Sequence, residues 1–539
     1  MYAIRQHICV LIMLLFSTGV YAQKDYSNNS SIVIDEPSLA HVNITGIESL
    51  PMTKNDNLHA WFEYSDDNGN YFKKRVIVNA QGATSLHYPK KNLSIDFCED
   101  EWVGNKTTNI TIGNWVKQDA FHFKANWLDS FRGGLAVYTT YKFYDDIVKD
   151  RPHILERAGI TDYSKNVLCH PDGFPCVISL NGEFYGIYAW QLKKHRKNMG
   201  MQKDNPVQVW VQVDTYTDSF RSGEVDWDAL DIRNPKKATQ ESKDIICKFA
   251  KYNNELSELC STLSDDAMRQ EIEKRYDVAS FIDFIIYGLV TSNIDGFGKN
   301  VQLFTYDGVK WFVAPYDLDQ TFGISWVGSF LFPPEWSWIS ADYRMNESTN
   351  KVPYNWIMKY FWTDIKDRYA TLRKNNVISE ENVLQHLAEW NWRVGDKNYA
   401  LEYKKWSTCP SNGQSQNNAQ WACVEDWSNY NALASYDNDK SYNSGDCCVY
   451  DYRVWKAVQP VKGVLPVAQK GYTDTEERVR GWIKRRLELE DKYLDYNPNA
   501  DIQSIPAFKP KKQVQKRLIN NQVVISVGDK DFFVNGVEK

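Results

Sequence analysis

Asp277-Val-Ala-Ser-Phe-Ile-Asp-Phe-Ile-Ile-Tyr-Gly-Leu-Val290 opens the stretch of chain whose reading decides the fold. It runs on through Asn293-Ile-Asp-Gly-Phe-Gly-Lys-Asn300 to Tyr316-Asp-Leu-Asp-Gln-Thr-Phe-Gly323. Asp277 carries the short carboxylate of a helix N-cap. The run from Val278 to Val290 is apolar on nearly all sides, which predicts a buried helix rather than a surface one. Residues 293–300 are rich in turn formers and read as a loop. Val301 to Thr305 and Lys310 to Ala314, with Asp307-Gly308 between them, predict a hairpin. The order is buried helix, polar loop, hairpin, acidic loop.

Upstream, the pattern is strand-like. His59-Ala-Trp-Phe-Glu-Tyr, Arg75-Val-Ile-Val, Leu93-Ser-Ile-Asp-Phe and Phe121 to Ala125 read as strands, the third with clean period-two alternation. Asn181-Gly182, between Val177-Ile-Ser-Leu and Phe184 to Trp190, is the strongest short hairpin signal in the chain. Downstream, Val383, Leu384, Leu387 and Trp390 form a helix stripe within Glu381 to Val394. Thr473-Asp-Thr-Glu476 is a capping-box pattern opening a charged helix through Leu494. Residues 405–450 are polar and cysteine-bearing, Pro506 to Lys512 is a basic linker, and Leu518 to Val537 predicts two or three short strands. The fold class is therefore α+β, with antiparallel sheet elements, a helical C-terminal part and a small β appendage. The breaks divide the chain into a signal segment at 1–22, a loose polar leader at 23–50 and a main domain at 51–400. An insertion at 401–455, a closing helical segment at 456–498, a linker at 499–512 and a β tail at 513–539 follow.

Arg5 and His7 precede the apolar run Ile8 to Phe16, and Val-Tyr-Ala ends at Ala22, which predicts a secretory signal peptide cleaved near Ala22. That run is shorter than the ~20 apolar residues that span a bilayer. The expected location is secreted, periplasmic or cell-surface, with no transmembrane segment in the mature chain. A net charge of −6 argues against a nucleic-acid partner, which selects a basic face. The 20 Trp and 32 Tyr residues fit an aromatic-rich core better than a glycan-binding surface, although a cell-surface glycan stays open as a partner. Export also predicts disulfides, with Cys169–Cys176 and Cys247–Cys260 as local pairs. Cys409, Cys423, Cys447 and Cys448 cluster in the insertion. There stapling is favoured over zinc, because adjacent Cys447 and Cys448 do not form a C-x-x-C knuckle.

Transfer of a phosphoryl group needs cations against phosphate oxygens, carboxylates that hold metal, and a group that orients the nucleophile. The layout Asp-x-x-x-x-Asn, hairpin, Asp supplies these in order as Asp295, Asn300 and Asp317, with Asp319 close by. Each also has an ordinary reading: Asp295 before Gly is turn chemistry, and Asp317 and Asp319 could cap a helix. Two acids flanking Leu318 straight after an apolar strand nevertheless suit a hard cation such as Mg²⁺.

Further blocks accompany this layout: Gly82-Ala-Thr-Ser85, Pro89-Lys-Lys91, Lys124-Ala-Asn-Trp-Leu-Asp129-Ser-Phe-Arg132 and Asn181-Gly-Glu-Phe-Tyr-Gly186-Ile-Tyr188. In sequence order, and with the Asn293–Asn300 and Tyr316–Gly323 segments, they resemble the kinases of the spore coat protein H (CotH) type. The resemblance covers roughly residues 60–330, and residues 475–494 look like the family's closing helix. It implies an atypical protein-kinase-like fold. The implied activity is metal-dependent transfer of the ATP γ-phosphate to Ser or Thr hydroxyls of an exported protein. By position, Asp295 matches the catalytic-loop acid and Asn300 its metal-binding partner. Asp317 matches the acid holding Mg²⁺ or Mn²⁺, with Asp319 beside it. Lys90 or Lys91, and Lys124, are the candidates for contacting ATP phosphates. Asp129 and Arg132 are candidates for a shaping ion pair or for substrate contact. The chain departs from the family at Gln191, where an acidic residue is usual, and it lacks a Gly-x-Gly-x-x-Gly loop. The alternative is a catalytically weak pseudokinase that binds a surface partner.

Overall fold

The computed structural model describes residues 23–102, 106–127, 138–213, 223–293, 296, 299–324, 334–335, 354–407, 409, 420–424, 432–450, 453–466, 476–498, 514–519, 522–527 and 530–533. Two compact units contain them, residues 1–494 and 495–539.

Seven strands of the first unit close into a barrel-like sheet: β1 (Ala40–Thr45), β2 (Leu58–Asp66), β3 (Asn70–Gln81), β4 (Asn92–Cys98), β5 (Ala120–Lys124), β6 (Gly173–Leu180) and β7 (Glu183–Leu192). Their order around the barrel is β3-β2-β1-β6-β7-β5-β4, and β4 returns to β3. Only the β1–β6 contact among these is parallel. Alternate residues face inward, because side chains change sides at every step of a strand. Phe62, Phe97, Phe121, Phe123, Phe174 and Trp190 meet there at 0% exposure. Trp190 touches Phe123 at a ring distance of 4.9 Å and Phe121 at 5.4 Å. The β6–β7 turn is made by Asn181 (φ 50°) and Gly182 (φ 85°), the left-handed pair that a tight two-residue hairpin demands.

A second, four-stranded sheet has the order β9-β8-β10-β11, from β8 (Val209–Val213), β9 (Leu230–Asn234), β10 (Val301–Thr305) and β11 (Trp311–Ala314). Around it lie α1 (Thr140–Val148), α2 (Gln240–Leu259), α3 (Asp265–Arg275) and α4 (Val278–Thr291). Further helices are α5 (Tyr354–Tyr360), α6 (Trp362–Lys374), α7 (Glu380–Val394), α8 (Asp396–Lys405) and α9 (Glu476–Tyr493). Asp277 caps α4 by accepting from the Ser280 N–H, and every residue from Ser280 to Thr291 is buried, as its all-round apolar pattern requires. The mixed α+β class and the three strands of the tail, Val514–Ile519, Gln522–Val527 and Lys530–Phe533, agree with the sequence expectation. The capping-box residues Thr473 to Thr475 lie outside the described residues.

Two expectations are corrected. The stretch 23–50 is not a loose leader, since Ala40–Thr45 is a barrel strand with Ala40, Val42 and Ile44 in the core. Ser31–Ile34 likewise pairs with Asn109–Ile112. Short alternating runs such as Ser31-Ile-Val-Ile34 hide easily among polar neighbours. The two local disulfides are not formed, since Cys169, Cys176, Cys247 and Cys260 are all free thiols. Cys176 lies in the barrel core, whereas Cys169 packs in a separate cluster with Phe304 and Tyr306. Cys247 stands inside α2 and Cys260 caps its end. Thirteen helical steps put them ~20 Å apart, far beyond the ~7 Å limit for bridged Cα atoms. The insertion builds its own small core from Trp421, Tyr442, Cys448 and Trp455. No helix of the described residues is long and apolar enough to cross a membrane.

Candidate active site

Period two in β5 decides what faces the site. Phe121 and Phe123 turn into the barrel, so His122 and Lys124 turn out. In register, Gln191 stands opposite His122 and Ala189 opposite Lys124. On this outer face Lys124 Nζ donates to Asp317 Oδ1 at 2.8 Å, joining the barrel to the segment after β11. The Lys124 side chain is 6% exposed and that of Asp317 31%. The lysine end of the pair is therefore buried, while the carboxylate keeps part of its contact with solvent.

The hairpin β10–β11 brings the amide and acid candidates to one end. Gln302 is opposite Ala314, so Asn300 and Asp317, just beyond these residues, leave the hairpin at the same edge. Asn300 (φ 60°) and Asp317 (φ 58°) both adopt left-handed backbone, which Asn and Asp tolerate better than most residues. The Asn300 N–H donates to the Val213 carbonyl at 2.7 Å, and the Phe322 N–H donates to the Thr291 carbonyl at the end of α4 at 2.7 Å. The loop after α4 and the loop after β11 are thus pinned to their neighbours by backbone. Asp295, Asp129 and Arg132 lie outside the described residues.

The electrostatics are mixed in sign. Burial alone would raise the Asp317 carboxyl, but Lys124, with smaller help from Lys194 and Lys299, holds it below the ordinary carboxylate range. Burial works against the Lys124 ammonium too, yet Asp317, Tyr316 and Asp319 raise it above the ordinary lysine range. His122 is driven well below its usual value by burial, then by Lys193, Lys124, Lys194 and Arg233. Burial pushes the Tyr316 hydroxyl up to about 12. Lys194 lies 4.3 Å over the Tyr316 ring and donates to Gln212 Oε1 at 2.5 Å.

Several buried polar atoms at this face have no hydrogen-bond partner of normal geometry, namely His122 Nδ1, both amide atoms of Gln191 and the Tyr316 hydroxyl, the last two groups meeting each other only in a weak contact. Such orphans cost free energy unless something polar meets them. Among the described residues no cluster of three or more His, Cys, Asp or Glu could hold a metal. Mg²⁺, however, is commonly held by one or two carboxylates together with substrate phosphates, and Asp317 with Asp319 supplies that number. Orphaned polar atoms, a carboxylate pair and surrounding cations fit a metal-bound polyphosphate.

The geometry separates the lysine candidates. Lys90 is 0% exposed and pairs with Glu402 at 2.7 Å, itself fully buried. Lys91 Nζ donates to the carbonyls of Leu86 and Tyr88. Among the described residues, only Lys124 of the three reaches an acidic candidate of the site. Sequence reading missed Glu402, 312 residues from Lys90, because nothing local marks it. It also passed over Lys194, a few residues after the Asn181 block, Lys299, inside the 293–300 block, and Arg233, which nothing local marks. A family model described as CotH kinase protein matches residues 78–431. No curated protein matches the chain.

Proposed function

This chain belongs to the CotH kinase protein family, and on that premise we propose that it is an exported, metal-dependent protein kinase acting on Ser or Thr hydroxyls. The observation that carries the reading is the Lys124–Asp317 pair at 2.8 Å, set among unsatisfied polar atoms at the meeting of the barrel with the β10–β11 hairpin. Asp317, with Asp319 and Asn300, would hold Mg²⁺ or Mn²⁺, and Lys124 would meet phosphate oxygens of ATP. The bound metal nucleotide supplies the transferable phosphoryl group and neutralises its developing charge. Asp295 would orient the acceptor hydroxyl and take its proton. In the nucleotide-free state Lys124 and Asp317 satisfy one another, so loading requires each to exchange its partner. Gln191 brings no charge to this exchange, which leaves Asp317 as the counter-ion of Lys124. Export rests on the segment at 1–22, which lies outside the described residues.

The test incubates the chain lacking residues 1–22 with γ-labelled ATP and Mn²⁺ or Mg²⁺, alone and with candidate exported proteins. Label should enter protein with the metal and not without it, and Asp317→Asn should remove incorporation while the far-ultraviolet spectrum is kept. Undiminished labelling by Asp317→Asn would sink the metal assignment.

A further inference from the structure

Lys90 and Glu402 form a closed polar knot inside an otherwise apolar region. Lys90 Nζ donates to Glu402 Oε1 at 2.7 Å, to the Ala125 carbonyl at 2.8 Å and to the Ile187 carbonyl at 2.5 Å. Glu402 Oε2 accepts from the Ile187 N–H at 2.8 Å. The three protons of the ammonium are all used. A Cβ at Gly186 would stand 2.6 Å from Lys90 Cε, so glycine there is the condition for the lysine to enter.

The consequence falls on the residue after Lys124. The Ala125 carbonyl is held by Lys90, and the Ala125 N–H donates to Asn92 Oδ1 at 2.7 Å. Both polar groups of Ala125 are therefore tied to side chains from the segment at 90–92. Two residues on, Trp127 packs edge-on against Trp406 at 6.1 Å, and Trp406 Nε1 donates to the Tyr185 carbonyl at 2.7 Å. Glu402 and Trp406 thus dock α8 and its end against β7 beside the segment that carries Lys124.

We propose that Glu402, acting through Lys90, is a positioning residue: together with Asn92 it clamps the Ala125 peptide and so aims the Lys124 ammonium at Asp317. A catalytic lysine on a strand end can swing, and misplacement by ~1 Å costs on the order of 10²-fold in rate. The clamp removes that freedom from the backbone side. Its catalytic consequence rests on the kinase reading; the placement of Lys124 does not.

The experiment reads the placement directly, as the rate at which Lys124 is acylated by a small amine-reactive ester, measured by peptide mass spectrometry against exposed Lys236. The double variant Lys90→Met with Glu402→Gln leaves no unpaired buried charge and keeps an acceptor for the Ile187 N–H. Lys124 acylation should rise about ten-fold with Lys236 unchanged, and kcat/KM for metal–ATP should fall on the order of 10- to 100-fold. Asn92→Thr, which releases the Ala125 N–H alone, should raise Lys124 acylation as well, and it decides the matter if the double variant does not fold. A folded variant with Lys124 acylated at the wild-type rate overturns the clamp. A wild-type chain without phosphotransfer overturns the kinase reading instead, and the acylation result still stands.

Discussion

Lys124 stands or falls as a functional lysine on Asp317, its one acidic partner among the described residues. Lys124→Met removes the strongest positive charge beside Asp317, so that carboxyl should move up towards the value burial alone would impose. On the kinase reading, kcat/KM for metal–ATP should drop by on the order of 10²- to 10³-fold, the usual cost of losing one aimed donor in a desolvated site, measured beside Asp317→Asn. His195 offers a test that needs no substrate. Its imidazole is pushed from the ordinary 6.5 down to about 4, first by burial, then by Arg196 and Lys197, with Asp119 opposing. Between those pH values the unfolded chain binds a proton that the folded chain refuses, so stability rises with pH there and is lost as pH falls from about 6.5 to about 4. Melting temperature against pH should therefore slope upward in this window, and His195→Asn should flatten the slope. At this scale the sequence shows the chemical type of each group. It does not show its partner: Lys90 and Lys124 looked alike as strand-end lysines, and only Glu402 and Asp317 tell them apart.

Among the elements, the β6–β7 hairpin and α4 were the most legible, and α4 contains one residue that local pattern does not explain. The Asn181-Gly182 turn was readable because left-handed backbone at both positions narrows the choice of residue. Nothing lies within 4 Å of a Cβ placed on Gly182, so Gly182→Ala should cost only the backbone term, about 1 kcal/mol in urea unfolding. Asp283 interrupts the apolar run of α4 without any local signal. It is 1% exposed and takes Arg151 Nε at 2.5 Å and Arg368 Nε at 3.0 Å, from elements 132 and 85 residues away. Asp283→Ala would leave Arg151 without this carboxylate, while Arg368 keeps Asp150 at 2.6 Å, and its cost should be about 3 kcal/mol in the same measurement. Arg486 of α9 is similar: it donates to the Leu289 carbonyl near the end of α4 through Nε at 2.8 Å and Nη2 at 2.6 Å. The charged pattern of α9 predicted a helix but gave no reason to expect a buried arginine.

For the whole molecule, thiol chemistry and barrel closure are the points at which structure and sequence part. Since Cys169, Cys176, Cys247 and Cys260 are free thiols, alkylation of the unfolded, unreduced chain should label all four, as read by peptide mass spectrometry. A Cys169–Cys176 or Cys247–Cys260 pair left unlabelled would restore the local bridge. Trp190→Ala should cost about 3–5 kcal/mol, because one indole fills the centre of the seven-stranded sheet and the cavity cannot collapse around rings already in contact. The sequence by itself determined the α+β class, the buried helix, both hairpins and the order of the acidic and amide residues, since these follow from periodicity and turn chemistry within a few residues. Tertiary structure alone decided that residues 40–45 complete a barrel, that Lys124 rather than Lys90 meets Asp317, and that Glu402 braces the strand end from 312 residues away. Burial and ion pairing depend on distances in space, and a linear pattern carries no record of which distant carboxylate a desolvated cation will require.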